Sequence, residues 1–200
     1  MVDVILEYGG TINEIIGDAL LVIFGAPNAM SDRAPRAIAC AVMMQNSMSR
    51  VNELNISQGL PELEMGIGVN EAEVVVGNVG SSKRSKYAVV GSGVNMTSRI
   101  ESYTVGGQIL ISESARRRAG DIVLIQDQKE VFPKGSDTPL RVYDISGIAG
   151  HYNLALSQRE AVLQKPERSI PVTYAILEGK DVARDRYVGS IIRLSKVAPR

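Results

Sequence analysis

The spacing of apolar residues predicts a short helix and then a hairpin at the start of the chain. Apolar positions at helical spacing over 2–8 favour a helix. Between 11 and 24, two apolar runs flank Gly17 and Asp18, a pair typical of the tight turn of a β-hairpin. The pattern therefore predicts that Asp18 lies at the tip of a hairpin.

A long amphipathic helix is predicted after the hairpin. Ser31 and Asp32 are residue types that cap helices, and Pro35 suits a first turn. Apolar residues then recur every two to four positions, which favours a helix with one face packed on a sheet. This stripe consists of Ile38, Val42, Met44, Met48, Val51 and Leu54.

Shorter strands and helices alternate after this helix. Strands are predicted at 63–69, 73–76, 87–90, 108–111, 122–125 and 140–145, helices at 92–101 and from Ser112 to Gly120, and a basic loop at 83–86. Because tight hairpins are mixed with the alternation, the pattern favours an α+β sandwich with a mixed or antiparallel sheet.

The periodic pattern weakens after residue 147. We predict a domain at 1–147, a linker at 148–165 and a partial strand-rich segment at 166–200. That last segment resembles the opening strands of a PilZ domain, a barrel that binds cyclic di-GMP. Its sequence departs from the arginine and (D/N)xSxxG motifs of that family, so we assign it no binding role.

Composition narrows the class of protein without indicating its chemistry. Apolar residues make up 44% of the chain, and 22 basic residues balance 22 acidic ones, which gives no reason to expect nucleic acid or an anionic membrane as a partner. Cys40 is the only cysteine, and no apolar run reaches the roughly 20 residues of a membrane-spanning helix. We therefore expect a cytoplasmic protein that makes no membrane contact through this segment.

Three segments in a fixed order carry the chemical signal. They read EIIGDALLVIFGAP, MGIGVNEAEVVVGNVGS and KRSKYAVVGSGVNMTSRIES, and a Gly-Gly pair precedes the first. Together they resemble the class III adenylate and guanylate cyclase family over about residues 1–147. The resemblance implies a ferredoxin-like, palm-type α+β fold.

The resemblance also implies an activity, namely a phosphorus–oxygen lyase of intracellular signalling. Such an enzyme converts ATP or GTP to the 3′,5′-cyclic nucleotide and pyrophosphate with two Mg²⁺ or Mn²⁺ ions. The family implies a homodimer with shared active sites, and it implies that Asp18 is one of two metal-binding aspartates. A plain Gly-Asp turn is the structural alternative for Asp18.

The second and third segments supply the other candidate site residues. Asn95 and Arg99 are four apart, so on a helix they share one face. The family implies that Asn95 orients the ribose and that Arg99 stabilises charge on the α-phosphate, whereas a surface arginine is the structural alternative. Lys134 corresponds to the family's phosphate-binding lysine.

Glu14 and Ala88 correspond to the pair that reads the purine. Glu14 is guanylate-like, because a carboxylate can accept hydrogen bonds from the N1–H and amino groups of guanine. The side chain of Ala88 can neither donate nor accept, so the pair matches neither the adenylate nor the guanylate pattern. An exposed strand residue is the alternative for Glu14, and the choice between ATP and GTP stays open.

Several departures from the family pattern favour a second hypothesis. The FxD segment that carries the other metal aspartate is absent, so we expect that the first strand is missing and that this chain alone has very low activity. Ser136 replaces a second basic residue, and Ser92-Gly93 replaces Asp-Thr or Asn-Thr. Ala72 replaces the usual glycine of the hairpin turn that is predicted at 70–72, between the strands at 63–69 and 73–76. The alternative is an inactive pseudo-cyclase that serves as a dimerisation or nucleotide-sensing module.

Overall fold

The computed structural model contains two compact units, Met1–Leu156 and Ser157–Arg200. It describes residues 1–132, 139–157, 163–178 and 181–195. The predicted domain limits at 147 and 165 stay a prediction, although β-structure in the first unit continues to Ala155.

The first unit contains four helices and nine strands among its described residues. The helices are α1 (Val2–Glu7), α2 (Arg33–Ser57), α3 (Ser92–Ser102) and α4 (Glu113–Ala119). The strands are β1 (Thr11–Ile16), β2 (Ala19–Ile23), β3 (Ile67–Val69), β4 (Val75–Ser81), β5 (Arg84–Val90), β6 (Ile109–Ser112), β7 (Val123–Val131), β8 (Leu140–Ile148) and β9 (Leu154–Ala155).

The main sheet of this unit is mixed. Its strand order is β3-β6-β8-β7, and β9 pairs with β8. Strands β3 and β6 run parallel, whereas β8 is antiparallel to β6, β7 and β9. Two hairpins, β1–β2 and β4–β5, form separate two-stranded sheets. These features confirm the α+β class and the mixed sheet predicted from the sequence.

The main core lies between α2 and the sheet. Ile38 and Val42 from α2 and Ile109, Ile111 and Ile145 from the sheet all have 0% exposure and belong to one cluster. Burial of each such side chain contributes about 1.5–3 kcal/mol. The apolar stripe predicted for α2 therefore faces the sheet in its first half.

A second cluster anchors the first hairpin. Ile5, Cys40 and Met44 are buried together, and side chains of β1 and β2 such as Ile12 and Val22 pack on them. The hairpin is thereby held against α1 and α2 while its turn extends away from the cluster.

Two predicted elements differ in the structure. The strand predicted at 63–69 begins only at Ile67, because the amide of Asn52 on α2 engages the backbone of Leu63 at N (2.8 Å) and O (2.9 Å). The basic loop predicted at 83–86 is largely strand, since β5 begins at Arg84.

Strand β4 pairs with β5 and not with β3, so 70–72 is not a hairpin turn. Among the described residues other than glycine, only Asn153 has a positive φ. Ala72 therefore occupies a position that does not require glycine for its backbone conformation.

The described residues of the second unit form three antiparallel strand pairs that are nested in sequence. They are β10 (Leu163–Gln164) with β15 (Leu194–Ser195), β11 (Ile170–Tyr174) with β14 (Tyr187–Ile191), and β12 (Leu177–Glu178) with β13 (Asp181–Val182). The rings of Tyr174 and Tyr187 stack at 5.6 Å. The resemblance to a PilZ domain stays a prediction.

None of the described helices combines the length and the apolar composition that a helix needs to cross a membrane.

Candidate functional site

Asp18 lies in the two-residue turn of the first hairpin. The register pairs Ile16 with Ala19, so Gly17 and Asp18 form the turn itself. Gly17 has φ +64°, a conformation that glycine adopts without strain, and Asp18 is exposed. The structure thus has Asp18 where the sequence predicted it, while its metal-binding role stays a prediction.

The described residues do not supply a complete metal site. Among them, no group of three or more histidine, cysteine, aspartate or glutamate side chains could hold an ion. Asp18 offers one carboxylate, whereas Mg²⁺ takes about six oxygen ligands and draws several from water and phosphate. The donor set of the described residues therefore does not fit a pair of metal ions.

The structure connects Glu14 to the strand that carries Ala88. The Nζ of Lys86 on β5 donates a hydrogen bond to Oε1 of Glu14 on β1, and both side chains are partly exposed. Because side chains alternate along a strand, Lys86 and Ala88 point to the same face of β5. Glu14 therefore contacts the strand that carries Ala88, through a side chain on the same face of β5 as Ala88.

Lys86 is a candidate site residue that the sequence analysis missed. It was assigned to a solvated basic loop, whereas it lies inside β5 opposite Val79. Its position two residues before Ala88 is the signal that could have revealed it, once the strand had been extended back to Arg84.

Asn95 and Arg99 both lie on the exposed side of α3. On the opposite side, Ile100 has 0% exposure and Met96 packs beside it against Leu110. The buried stripe of α3 therefore fixes which face the two polar residues present. Within the described ranges, neither of them forms a hydrogen bond or ion pair with Asp18.

Lys134 lies outside the described residues, so its phosphate-binding role stays a prediction.

A cleft of about 450 Å³ opens beside α3. Arg117 of α4 and Arg141 of β8 line it, and Arg141 is paired with Glu130 at 3.0 Å. The hydrogen bond that Arg141 donates to Glu130 raises the pKa of Arg141, which stays cationic. None of the site residues predicted within the described ranges lines this cleft. Asp18, Asn95 and Arg99 are exposed, whereas Glu14 and Ala88 are half-buried.

Comparisons with known proteins agree with this arrangement of elements. The profile of the adenylate and guanylate cyclase catalytic domain matches residues 4–147. The solved guanylyl cyclase Cya2 is 52% identical, with a TM-score of 0.75, over 78% of this chain and 79% of that one. The adenylyl cyclase CyaB from P. aeruginosa is 29% identical, with a TM-score of 0.70, over 77% of this chain and 79% of that one.

Curated sequences give the same picture. The adenylate cyclase of Anabaena cylindrica is 34% identical over 148 residues, which is 70% of this chain and 28% of the relative. The chain spans about a quarter of the length of the curated relatives it matches. The similarity is therefore to one part of each of those proteins.

Proposed function

The chain belongs to the adenylate and guanylate cyclase catalytic domain family, and on that premise we propose that it converts a purine nucleoside triphosphate to the 3′,5′-cyclic nucleotide and pyrophosphate. The ribose 3′-oxygen bonds to the α-phosphorus, the bond from that phosphorus to the bridging oxygen breaks, and pyrophosphate leaves. The hydroxyl proton passes to water. In this reaction the protein mainly orients the nucleotide and stabilises charge.

GTP is the proposed substrate, and the contact between Glu14 and Lys86 is the observation that carries this choice. A carboxylate has about four acceptor positions, so Glu14 can hold Lys86 and still accept from the N1–H and amino groups of guanine. Adenine presents an acceptor at N1, which a carboxylate repels. The similarity to the guanylyl cyclase Cya2 supports the same choice.

Asn95 and Arg99 are proposed to act on the ribose and the α-phosphate. Both are exposed on α3, and a planar guanidinium matches the geometry of a phosphoryl group. Because they lie on open surface, we propose that two copies of the chain form each site. One copy would supply Glu14 and Asp18, and the other Asn95 and Arg99.

Base selection is tested by measuring cyclic nucleotide formed from GTP and from ATP, in separate assays with Mg²⁺ and with Mn²⁺. We expect GTP to be preferred, and we expect Glu14→Gln and Lys86→Met to lower kcat/KM for GTP by at least about tenfold, the equivalent of one lost charge-assisted hydrogen bond. Glu73→Gln is the matched control, because Glu73 is also an exposed carboxylate. Equal use of ATP and GTP by the unaltered chain would refute guanine selection.

Site sharing is tested by mixing two variants that are inactive on their own. Asp18→Asn and Arg99→Ala disable different halves of each proposed site, so a mixed dimer retains one intact site. Random pairing should restore about a quarter of the original activity in a two-fold symmetric dimer. If the mixture stays as inactive as each variant alone, although both variants dimerise, the shared site is wrong.

A pseudo-cyclase is the second candidate function. The absence of a metal-ligand cluster among the described residues favours it, as does the inert side chain of Ala88. Calorimetric titration with GTP, run alongside the activity assay, separates the two hypotheses. Binding of GTP without turnover under all metal conditions would indicate the sensing module.

A further inference from the structure

Three residues between β3 and β4 form a loop that is hydrogen-bonded to α2, α3 and α4, and we infer that this loop positions α3. The residues are Asn70, Glu71 and Ala72, here named the 70–72 loop. We further infer that Ala72 and Gly93 form a matched pair within this contact. While alanine occupies position 72, only glycine fits at position 93. The consequence for catalysis rests on the proposed function, because α3 carries Asn95 and Arg99.

Asn70 contacts the first turn of α3 directly. Its Nδ2 donates a hydrogen bond to the backbone oxygen of Gly93 at 3.1 Å, and Asn70 is half-buried. The same oxygen accepts from Oγ1 of Thr97 at 2.9 Å. Asn70 thus ties the loop to the helix at a backbone atom, which cannot move without moving the helix.

Ala72 and Gly93 approach each other too closely for a larger residue at 93. A Cβ added at Gly93 would lie 2.5 Å from the Cβ of Ala72 and 3.2 Å from Cγ1 of Val74. Two carbon atoms are in favourable contact only at about 3.5–4.0 Å. The Cβ of an alanine moves only with its backbone, so any side chain at 93 would push α3 away from the loop.

The resemblance to the cyclase family implies glycine at the position of Ala72 and, frequently, threonine at the position of Gly93. This chain carries the larger residue on the loop and the smaller on the helix, the reverse of that implied pattern. Two departures that suggested degeneration in the sequence offset one another across a single contact.

Residues of α2 and α4 form hydrogen bonds with Glu71 of the loop, although Ala72 itself is exposed. Arg33 of α2 donates to Oε1 of Glu71 from Nε (3.1 Å) and Nη2 (2.6 Å). Ser114 of α4 donates from Oγ to the backbone oxygen of Glu71 at 2.7 Å. Because these anchors lie on other helices, the loop can set the position of α3 instead of following it.

A displacement of α3 would affect both candidate catalytic residues together. They lie within two turns of Gly93 on one rigid helix, so a shift at its first turn is carried to both side chains. Misplacement of a catalytic group by about 1 Å can lower a rate by about 100-fold.

The pair is tested with the variants Gly93→Thr, Ala72→Gly and their combination. We expect Gly93→Thr to lower the Tm by about 4 °C or more, as for an overpacked position, although threonine has the higher helix propensity. It should also speed amide hydrogen exchange in residues 92–102. In the double variant, the Tm and the exchange rates should return most of the way to those of the unaltered chain. Ser92→Thr, an exposed neighbour on the same helix, should change neither.

Activity measurements add the catalytic consequence. Gly93→Thr and Asn70→Ala should lower kcat for cyclic nucleotide formation by about tenfold or more with a smaller change in KM, and the double variant should recover kcat. The Tm and exchange measurements need no turnover, so they test the pair even if the proposed function fails. A double variant no more stable than Gly93→Thr alone would overturn the inference, as would a Gly93→Thr that matches Ser92→Thr.

Discussion

Asn52 is a buried amide whose hydrogen-bonding groups are both engaged by the backbone of Leu63. Replacement of Asn52 by alanine leaves the N–H and C=O of Leu63 without these partners and creates a small cavity. We expect the free energy of unfolding to fall by about 1–3 kcal/mol. Urea denaturation measures this loss.

Asn55→Ala is the control for that measurement. The hydrogen bond that the Asn55 side chain donates to the backbone oxygen of Pro61 is exposed and long, at 3.4 Å. Its loss should be about 0.5 kcal/mol or less. Equal losses for the two variants would show that the Asn52 contact does not brace the segment before β3.

Asp32 makes the stability of the first unit depend on pH. A hydrogen bond from Arg36 lowers the pKa of its carboxyl, and one from Tyr152 contributes less. A lowered pKa in the folded state means that the stabilisation is present above the unfolded value of about 4 and is lost as pH falls through the folded value.

The Tm of Asp32→Asn should therefore lie below that of the unaltered chain at pH 6, and the gap should narrow toward pH 3. The corresponding difference in the free energy of unfolding should stay below about 1 kcal/mol, because the Asp32 side chain is 34% exposed and water screens its charge. Asparagine has nearly the same size and the Asp32 side chain forms no cap hydrogen bond, so the substitution acts mainly through the lost charge and its contacts with Arg36 and Tyr152. A gap that stays constant across this range would contradict the assignment.

At the scale of elements, the N-cap of α4 gives a direct test. The Oγ of Ser112 accepts a hydrogen bond from the backbone N–H of Ala115 at 3.1 Å, as its position before the helix predicted. Ser112→Ala should cost about 1 kcal/mol of unfolding free energy. Ser98→Ala, on the exposed side of α3, should cost little, and a similar loss in both would mean that the cap contributes nothing specific.

The elements that the sequence predicted well are those with local signals. The hairpin around Gly17, the start of α2 near Asp32 and the cap at Ser112 each depend on residues close in the chain. The pairing of β4 with β5 and the contact of Glu14 with Lys86 were missed. The β4–β5 pairing was missed because it depends on exact strand limits, which apolar spacing defines poorly. The contact of Glu14 with Lys86 was missed because it joins residues that are distant in sequence.

The candidate site shows the same limit at a larger scale. Motif spacing was enough to nominate Asp18 and the pair on α3, and the structure has them exposed on separate elements of one chain. In the proposed dimer, the way these surfaces meet depends on a second copy of the chain, so the spacing of motifs in one sequence does not predict it.

At the scale of the whole molecule, the three buried clusters that the described residues form all lie within Met1–Leu156. A chain that ends at residue 156 should therefore keep the main melting transition within about 2 °C of that of the full chain. Differential scanning calorimetry of both chains measures this. A large drop in the shortened chain would show that residues 157–200 stabilise the first unit.

Cys40 is only 2% exposed, and burial raises the pKa of its thiol to about 11. Thiolate-directed reagents attack the ionised form, so at neutral pH this sulfur should react only when the molecule opens. Dye attachment to Cys40 would then count opening events, and Cys40→Ala should abolish the signal. A second cysteine introduced on the surface would react with a thiol-directed label much faster than Cys40. A spin label or dye attached there would allow distance measurements between copies of the chain in the proposed dimer.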